Sequence, residues 1–389
     1  MINDMSKQKF VILMAMIMAA GPFAVDAYLP GIPGMALALN VSGSTIASTI
    51  SFYIFGMALG QLIGGPLADR IEKRSLIMVG LGIFALSCLT IAWAEQMFII
   101  KLMRVVQAIG AGFAIVCVAP LVRQKEKGMA AAKLFGSIGL IFIIAPAIAP
   151  SVGAFILSFG SWKHIFYFMA AYAFLIIIIA ATSLPKQSRR LPFKSLSLFE
   201  GYRYAFKNKT AMRYLVVQAC GYSVIMVFVT NSSFIYQDHF GLTQQVFAVV
   251  FALNTVFNIL VNRVNAYMLN RVSAHILLRG ALIIQALCVA LLIVMTMMEV
   301  SAAVFAMGII GAVGILGAIY PNTNALFISQ YYKHTGSASA LLGTSQFIVA
   351  SVMGGITTWL HNDTLWPPVL VMAGLVLVTN LALPKEVKQ

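Results

Sequence analysis

Asp26 is a carboxylate near the middle of the first long apolar segment, which runs from about Phe10 to Asn40. A lone acid at bilayer depth is costly unless it is neutralised, paired or hydrated. The chain holds 11 acidic residues, and the other ten fall near segment ends, in loops or in the tails. Proton or cation exchange is the chemistry such a group can do. The plainer role is a structural carboxylate bonded to a neighbouring helix. Arg104 enters the fourth apolar segment from its outer end, about 13 Å deep at a rise of about 1.5 Å per residue. It is expected either to tune proton affinity or to bond backbone carbonyls. Gln107 lies one turn deeper on the same face and is expected to hydrogen-bond Asp26 in at least one state of the transport cycle. Tyr28, Tyr53, Tyr236, Asn254 and Gln346 are polar or aromatic side chains within apolar segments. They are expected to line a substrate cavity, where varied amphipathic compounds need faces to stack on and a few adaptable bonds.

No other constellation carries chemistry. Cys88, Cys117, Cys220 and Cys288 all sit inside apolar segments and read as small packing residues. No two of the five histidines share a helix face, so no metal site is expected. One membrane acid without a partner nucleophile is a poor catalytic set, so neither an enzyme nor a cofactor is expected.

These residues must be positioned by membrane helices. Of the 389 residues, 61% are hydrophobic and only 10% are charged, and the mean hydropathy is +0.93. A water-soluble surface needs far more charge. Twelve apolar segments of spanning length can be counted. They lie near 10–37, 44–67, 75–94, 97–121, 131–157, 164–184, 211–236, 243–268, 274–296, 300–327, 336–358 and 365–384. The polar interval 185–210 divides them into a six-span half at 1–184 and another at 211–389. That interval reads as a linker with a short interfacial helix over Leu196–Lys207.

The net charge is +15. With both termini and the even-numbered loops on the cytoplasmic side, 22 of the 26 basic residues share that side. The charge is therefore a topology signal and an attraction to anionic lipid, not a nucleic-acid surface.

Four stretches carry recognisable spacing. Gly56, Gly60 and Gly64 make a small face on the second span, on which another helix can lie close. Gly65-Pro66-Leu67-Ala68-Asp69-Arg70 closes that span, and Arg74 follows. Asp69 and Arg70 are expected to act as a gate at the cytoplasmic end. Pro146 and Pro150, with Gly153, mark the fifth span as bent, because each proline lacks an N–H and clashes with the carbonyl a turn back. Gly308, Gly311, Gly314 and Gly317 recur every third residue in the tenth span, where close packing is the favoured reading over a flexible gate. Leu269-Asn270-Arg271-Val272 after span eight repeats Ala68-Asp69-Arg70-Ile71 after span two, which suggests two parallel repeats.

The Gly65–Arg74 stretch resembles the cytoplasmic-loop motif of the major facilitator superfamily, with Glu72 where the family has glycine. Arg104-Val105-Val106-Gln107-Ala108-Ile109-Gly110 resembles its fourth-span motif. The Ala145–Gly153 stretch, Asp26–Pro33 and Ser161–Phe166 are similar to the Bcr/CflA drug:proton antiporters of that superfamily. The resemblance implies an all-α membrane protein of the major facilitator fold, with two six-helix bundles. It also implies proton-coupled export of small amphipathic compounds across the bacterial inner membrane by a monomer. The partners would be a small-molecule substrate, protons and the lipid bilayer. An uptake permease, or an exporter dedicated to one metabolite or siderophore, is the alternative.

Overall fold

The computed structural model describes residues 6–126, 128–184, 203, 206–331 and 335–384, and some side chains within them, those of Asp69 and Arg70 included, lie outside the description. Every regular element among the described residues is helical. Eleven stretches are long and apolar enough to cross a membrane, from Lys7–Leu39 to Ala340–Trp359, and Trp366–Ala382 is a shorter twelfth. They match the twelve segments read from the sequence. The Leu196–Lys207 interfacial helix falls largely on residues outside the described ones.

The chain divides into two compact units, Met1–Lys194 and Ser195–Gln389. In the first, α1 is Lys7–Asp26, α2 Ile32–Leu39, α3 Gly43–Arg70 and α4 Lys73–Trp93. It continues with α5 Met97–Ile115, α6 Val118–Lys125, α7 Gly128–Leu157 and α8 Trp162–Ser183. The second holds α9 Lys209–Ser233, a π-helical turn Phe234–His239, α10 Gln244–Met268 and α11 Ala274–Met297. It ends with α12 Ala302–Gly314, α13 Leu316–Ile328, α14 Thr335–Trp359 and α15 Trp366–Ala382.

Short polar loops start the helices. The side chains of Ser42, Asn208, Thr243 and Ser273 each accept the backbone N–H three residues on. Each satisfies one of the donors that a helix start leaves open.

Among the described residues, the first, fourth, seventh and tenth spans are the irregular ones, so irregularity recurs every third span. Proline explains three of the four. Pro30 and Pro33 bring no N–H to the carbonyls of Asp26 and Leu29, so α1 stops at Asp26 and a 3-10 turn, Leu29–Gly31, leads into α2. Pro120 does the same to Val116, at the junction of α5 and α6. Pro321 leaves the Gly317 carbonyl without its backbone donor, just past the break between α12 and α13. The seventh span reaches the same outcome by the π-helical turn. Prolines do not always break a span here: α7 stays helical through Pro146 and Pro150.

Glycines set how closely the helices approach. A Cβ on Gly56 or Gly60 would meet the backbone of Val105 or Ile109, and one on Gly64 would meet Phe113. The small face of α3 therefore seats α5 along its length, as its spacing led one to expect. Gly65 meets nothing within 4 Å, so it is not part of that seat. In the tenth span Gly308 and Gly311 face α11 while Gly314 and Gly317 face α10. The three-residue spacing thus serves two neighbours in turn, which is the packing reading. Large apolar side chains such as Val249, Leu253, Val256, Leu260 and Val264 stand exposed in a row on α10, a face suited to lipid.

Candidate functional site

The break after Asp26 assembles the site of the first unit. Ending α1 inside the membrane leaves carbonyls without donors, and a cation from another helix supplies one. Arg104 of α5 donates from Nη1 to the Ala24 carbonyl at 2.9 Å and to Oε1 of Gln107 at 3.1 Å. Its guanidinium lies over the Tyr28 ring at 3.9 Å and near the Phe166 ring at 4.9 Å. Tyr53 stands farther off, with its ring centre 6.0 Å away. The Tyr28 hydroxyl bonds Thr49 Oγ1 at 2.9 Å, which fixes the ring on which the cation rests. Arg104 is 1% exposed, and a charge so buried needs these bonds and faces.

Asp26 is 5% exposed and is the one buried acid among the described residues. Among those residues it forms neither a hydrogen bond nor an ion pair. Asp26 and Arg104 both lie within electrostatic reach of Tyr28. A buried carboxyl group and a buried guanidinium therefore share the surroundings of Tyr28 without an ion pair between them.

Gln107 makes no hydrogen bond to Asp26 in the conformation described. Its oxygen is taken by Arg104, and its Nε2 donates to Sγ of Cys88 at 3.0 Å. The reason is local. Arg104, three residues earlier on the same face, occupies the oxygen, and the amide N–H₂ that a carboxylate would accept from is turned to Cys88. Cys88 is thus an acceptor as well as a packing residue.

Gly153 belongs to the site through its missing side chain. A Cβ there would collide with the Ala27 carbonyl, one residue past the end of α1. The motif on α7 therefore seats the break beside Asp26. Arg74 acts elsewhere, donating to the Ala181 carbonyl at 2.6 Å and so capping the end of α8. Asp69 and Arg70 end α3, and their expected gate lies outside the described side chains.

In the second unit, Tyr236 is buried among Phe228 and Phe247. Asn254 turns back on its own helix, with its amide donating to the Val250 carbonyl at 3.1 Å. Gln346 of α14 accepts a hydrogen bond from Gln218 of α9 at 3.2 Å. All three are buried.

Sequence reading missed a polar ladder on α10. Asn258 donates to the Gly314 carbonyl at 3.4 Å and Asn262 to the Gly317 carbonyl at 3.0 Å. Asn265 and Asn322 pair side chain to side chain, with Asn322 donating at 2.7 Å. The amides supply the donors that Pro321 and the break at Ile315 withhold. A signal was present, since asparagines four residues apart share a helix face. It pointed to no partner until the tenth span was in place.

A family model for the Major Facilitator Superfamily matches residues 11–383. A bicyclomycin resistance protein homolog of Haemophilus influenzae is 27% identical and covers 97% of each chain. A multidrug resistance protein MdtL of Shewanella oneidensis is 26% identical over 94% of this chain and 93% of its own. The crystal structure of a D-xylose-proton symporter aligns with a TM-score of 0.74 over 96% of this chain and 98% of that one. It is 15% identical, and the likeness is one of fold.

Proposed function

The chain belongs to the major facilitator superfamily, and on that premise we propose that it is a proton-coupled exporter of small amphipathic compounds, not an enzyme. It works as a monomer in the bacterial inner membrane, with both termini cytoplasmic. The basic residues support that orientation, since 22 of 26 then share one side. The names of its relatives support export of drug-like compounds. The observation that carries proton coupling is Asp26: a buried acid, free of any ion pair among the described residues, at a helix break where Arg104 binds the Ala24 carbonyl.

The mechanism follows from that geometry. A protonated Asp26 is neutral and can stay buried. An ionised Asp26 is a charge that needs water, a cation or the shared field of Arg104. Proton and substrate then compete for one state of one group, which is a coupling free energy between two ligands. Competition of this kind exchanges one for the other as the site opens alternately to the two faces of the membrane.

Purified protein in liposomes, acid inside, tests this reading. A pH gradient is expected to concentrate tetraphenylphosphonium or another member of a panel of lipophilic cations and neutral antibiotics inside the vesicles. A protonophore is expected to release it. Movement that only ever equalises concentration would contradict proton coupling.

A further inference from the structure

Arg213 on α9 reaches across to the end of α15. Its Nε donates to the Ala382 carbonyl at 2.8 Å, and its Nη2 donates to the carbonyls of Leu383 at 3.0 Å and Leu381 at 3.3 Å. A cation there satisfies carbonyls that a helix end leaves open. Arg74 makes the matching cap on α8, half-buried and through one bond. Arg213 stays exposed, and its Nη1 has no acceptor among the described residues. Lys209, one turn earlier on the same face of α9, is exposed, and so is Lys207. Neither lysine makes a side-chain hydrogen bond or ion pair among the described residues. No acid occurs in residues 206–216 or 370–383, so neither segment neutralises the three charges. Lys209 is the first residue of its apolar span and Ala382 the last of the twelfth, which puts the cluster at a membrane boundary. Deeper along the same two helices, Val216 on α9 and Leu377 and Leu381 on α15 are exposed apolar side chains.

We infer that this end of α9 and α15 is a binding site for an anionic phospholipid. The headgroup phosphate sits on Lys207, Lys209 and Arg213, and an acyl chain runs along Val216, Leu377 and Leu381. A guanidinium suits phosphate oxygens because its N–H groups are planar and point outward as a fork. Here three carbonyls hold that fork in place, so little freedom is lost when a phosphate docks on Nη1. The two lysines add charge at the same boundary, where each attracts an anionic lipid. The cap on α15 accounts for the three bonds of Arg213. It does not account for a spare Nη1 with two unpaired lysines beside it. The apolar side chains deeper along the helices make the occupant a lipid and not a free phosphate. The inference goes beyond the exporter reading, requires only that the chain spans a membrane, and stands apart from proton coupling.

Native mass spectrometry of the purified full chain, stripped of lipid in dodecyl maltoside, tests it. The protein is titrated with phosphatidylglycerol or with phosphatidylcholine of the same acyl chains, and bound lipid is counted. The unaltered protein is expected to retain phosphatidylglycerol in clear preference to phosphatidylcholine. Lys207→Gln with Lys209→Gln removes two charges and no bond among the described residues, so the melting temperature is expected to stay unchanged. Phosphatidylglycerol affinity is expected to fall about twentyfold, at about fivefold for each charge removed. Lys9→Gln with Lys133→Gln takes the same charge from exposed positions of the first unit and is expected to leave that affinity unaltered. Glycerol phosphate, the headgroup without its chains, is expected not to displace the lipid at equal concentration. Equal retention of the two lipids would overturn the inference, as would full phosphatidylglycerol affinity in the Lys207/Lys209 variant. An equal loss in the Lys9/Lys133 variant would reduce the effect to overall charge, and displacement by glycerol phosphate would make the occupant a free phosphate; either result also overturns it.

Discussion

Asp26→Asn is expected to fold, insert and bind neutral compounds, yet to move nothing against a gradient. The substitution keeps the shape of the side chain and fixes it in the neutral state. Removing a buried charge carries no penalty in lipid, and no hydrogen bond or ion pair among the described residues is lost with it. The loss of uphill movement follows from the isolation of this acid. No other buried acid is available among the described residues to substitute for it. In liposomes with an acid interior, uphill accumulation should fall to the level of empty vesicles, while exchange down a gradient persists. An Asn variant that still builds a gradient from pH alone would make Asp26 structural.

Arg104→Leu is expected to fail differently, by losing the end of α1 before it loses coupling. The leucine removes the donor to the Ala24 carbonyl and to Gln107, and it removes the cation from the Tyr28 face. Hydrogen bonds from a charged group and a desolvated cation–π contact together suggest a cost of about 3 kcal/mol. The melting temperature in detergent should fall clearly, and transport should be lost with it. Arg104→Lys keeps the charge but not the planar fork, so it cannot stack on Tyr28 and reach both acceptors at once. It should recover part of the thermal stability and little of the transport. Melting and transport equal to the unaltered protein in both variants would mean that Arg104 does not hold the break.

Features that depend on a residue and its neighbours in the chain were legible in the sequence. Twelve apolar lengths matched twelve spans, a four-residue glycine spacing on α3 gave a seat for α5, and depth alone singled out Asp26 and Arg104. Features that depend on a partner far along the chain were not. Pro30 and Pro33 could be read as helix breakers, but nothing local says that Arg104, 80 residues away, donates to the carbonyl the break exposes. The same holds for Gly153, whose reason is the Ala27 carbonyl on another span. The asparagines of α10 were legible as a stripe and not as a set of donors for the tenth span. For Arg104 the carbonyl-bonding reading was legible, but not which carbonyl; for Gln107 the spacing did not show that Cys88, on another span, would take its amide.

The role of Asp26 as the exchanging acid is tested most directly by proton release. Tetraphenylphosphonium is added to the detergent-solubilised protein in weakly buffered solution, and the pH is followed with an indicator dye. Competition for a single carboxylate predicts release approaching about one proton per cation bound, and none from Asp26→Asn at the same occupancy. Equal release from the Asn variant, or cation binding by the unaltered protein with no proton released at any pH, would contradict it.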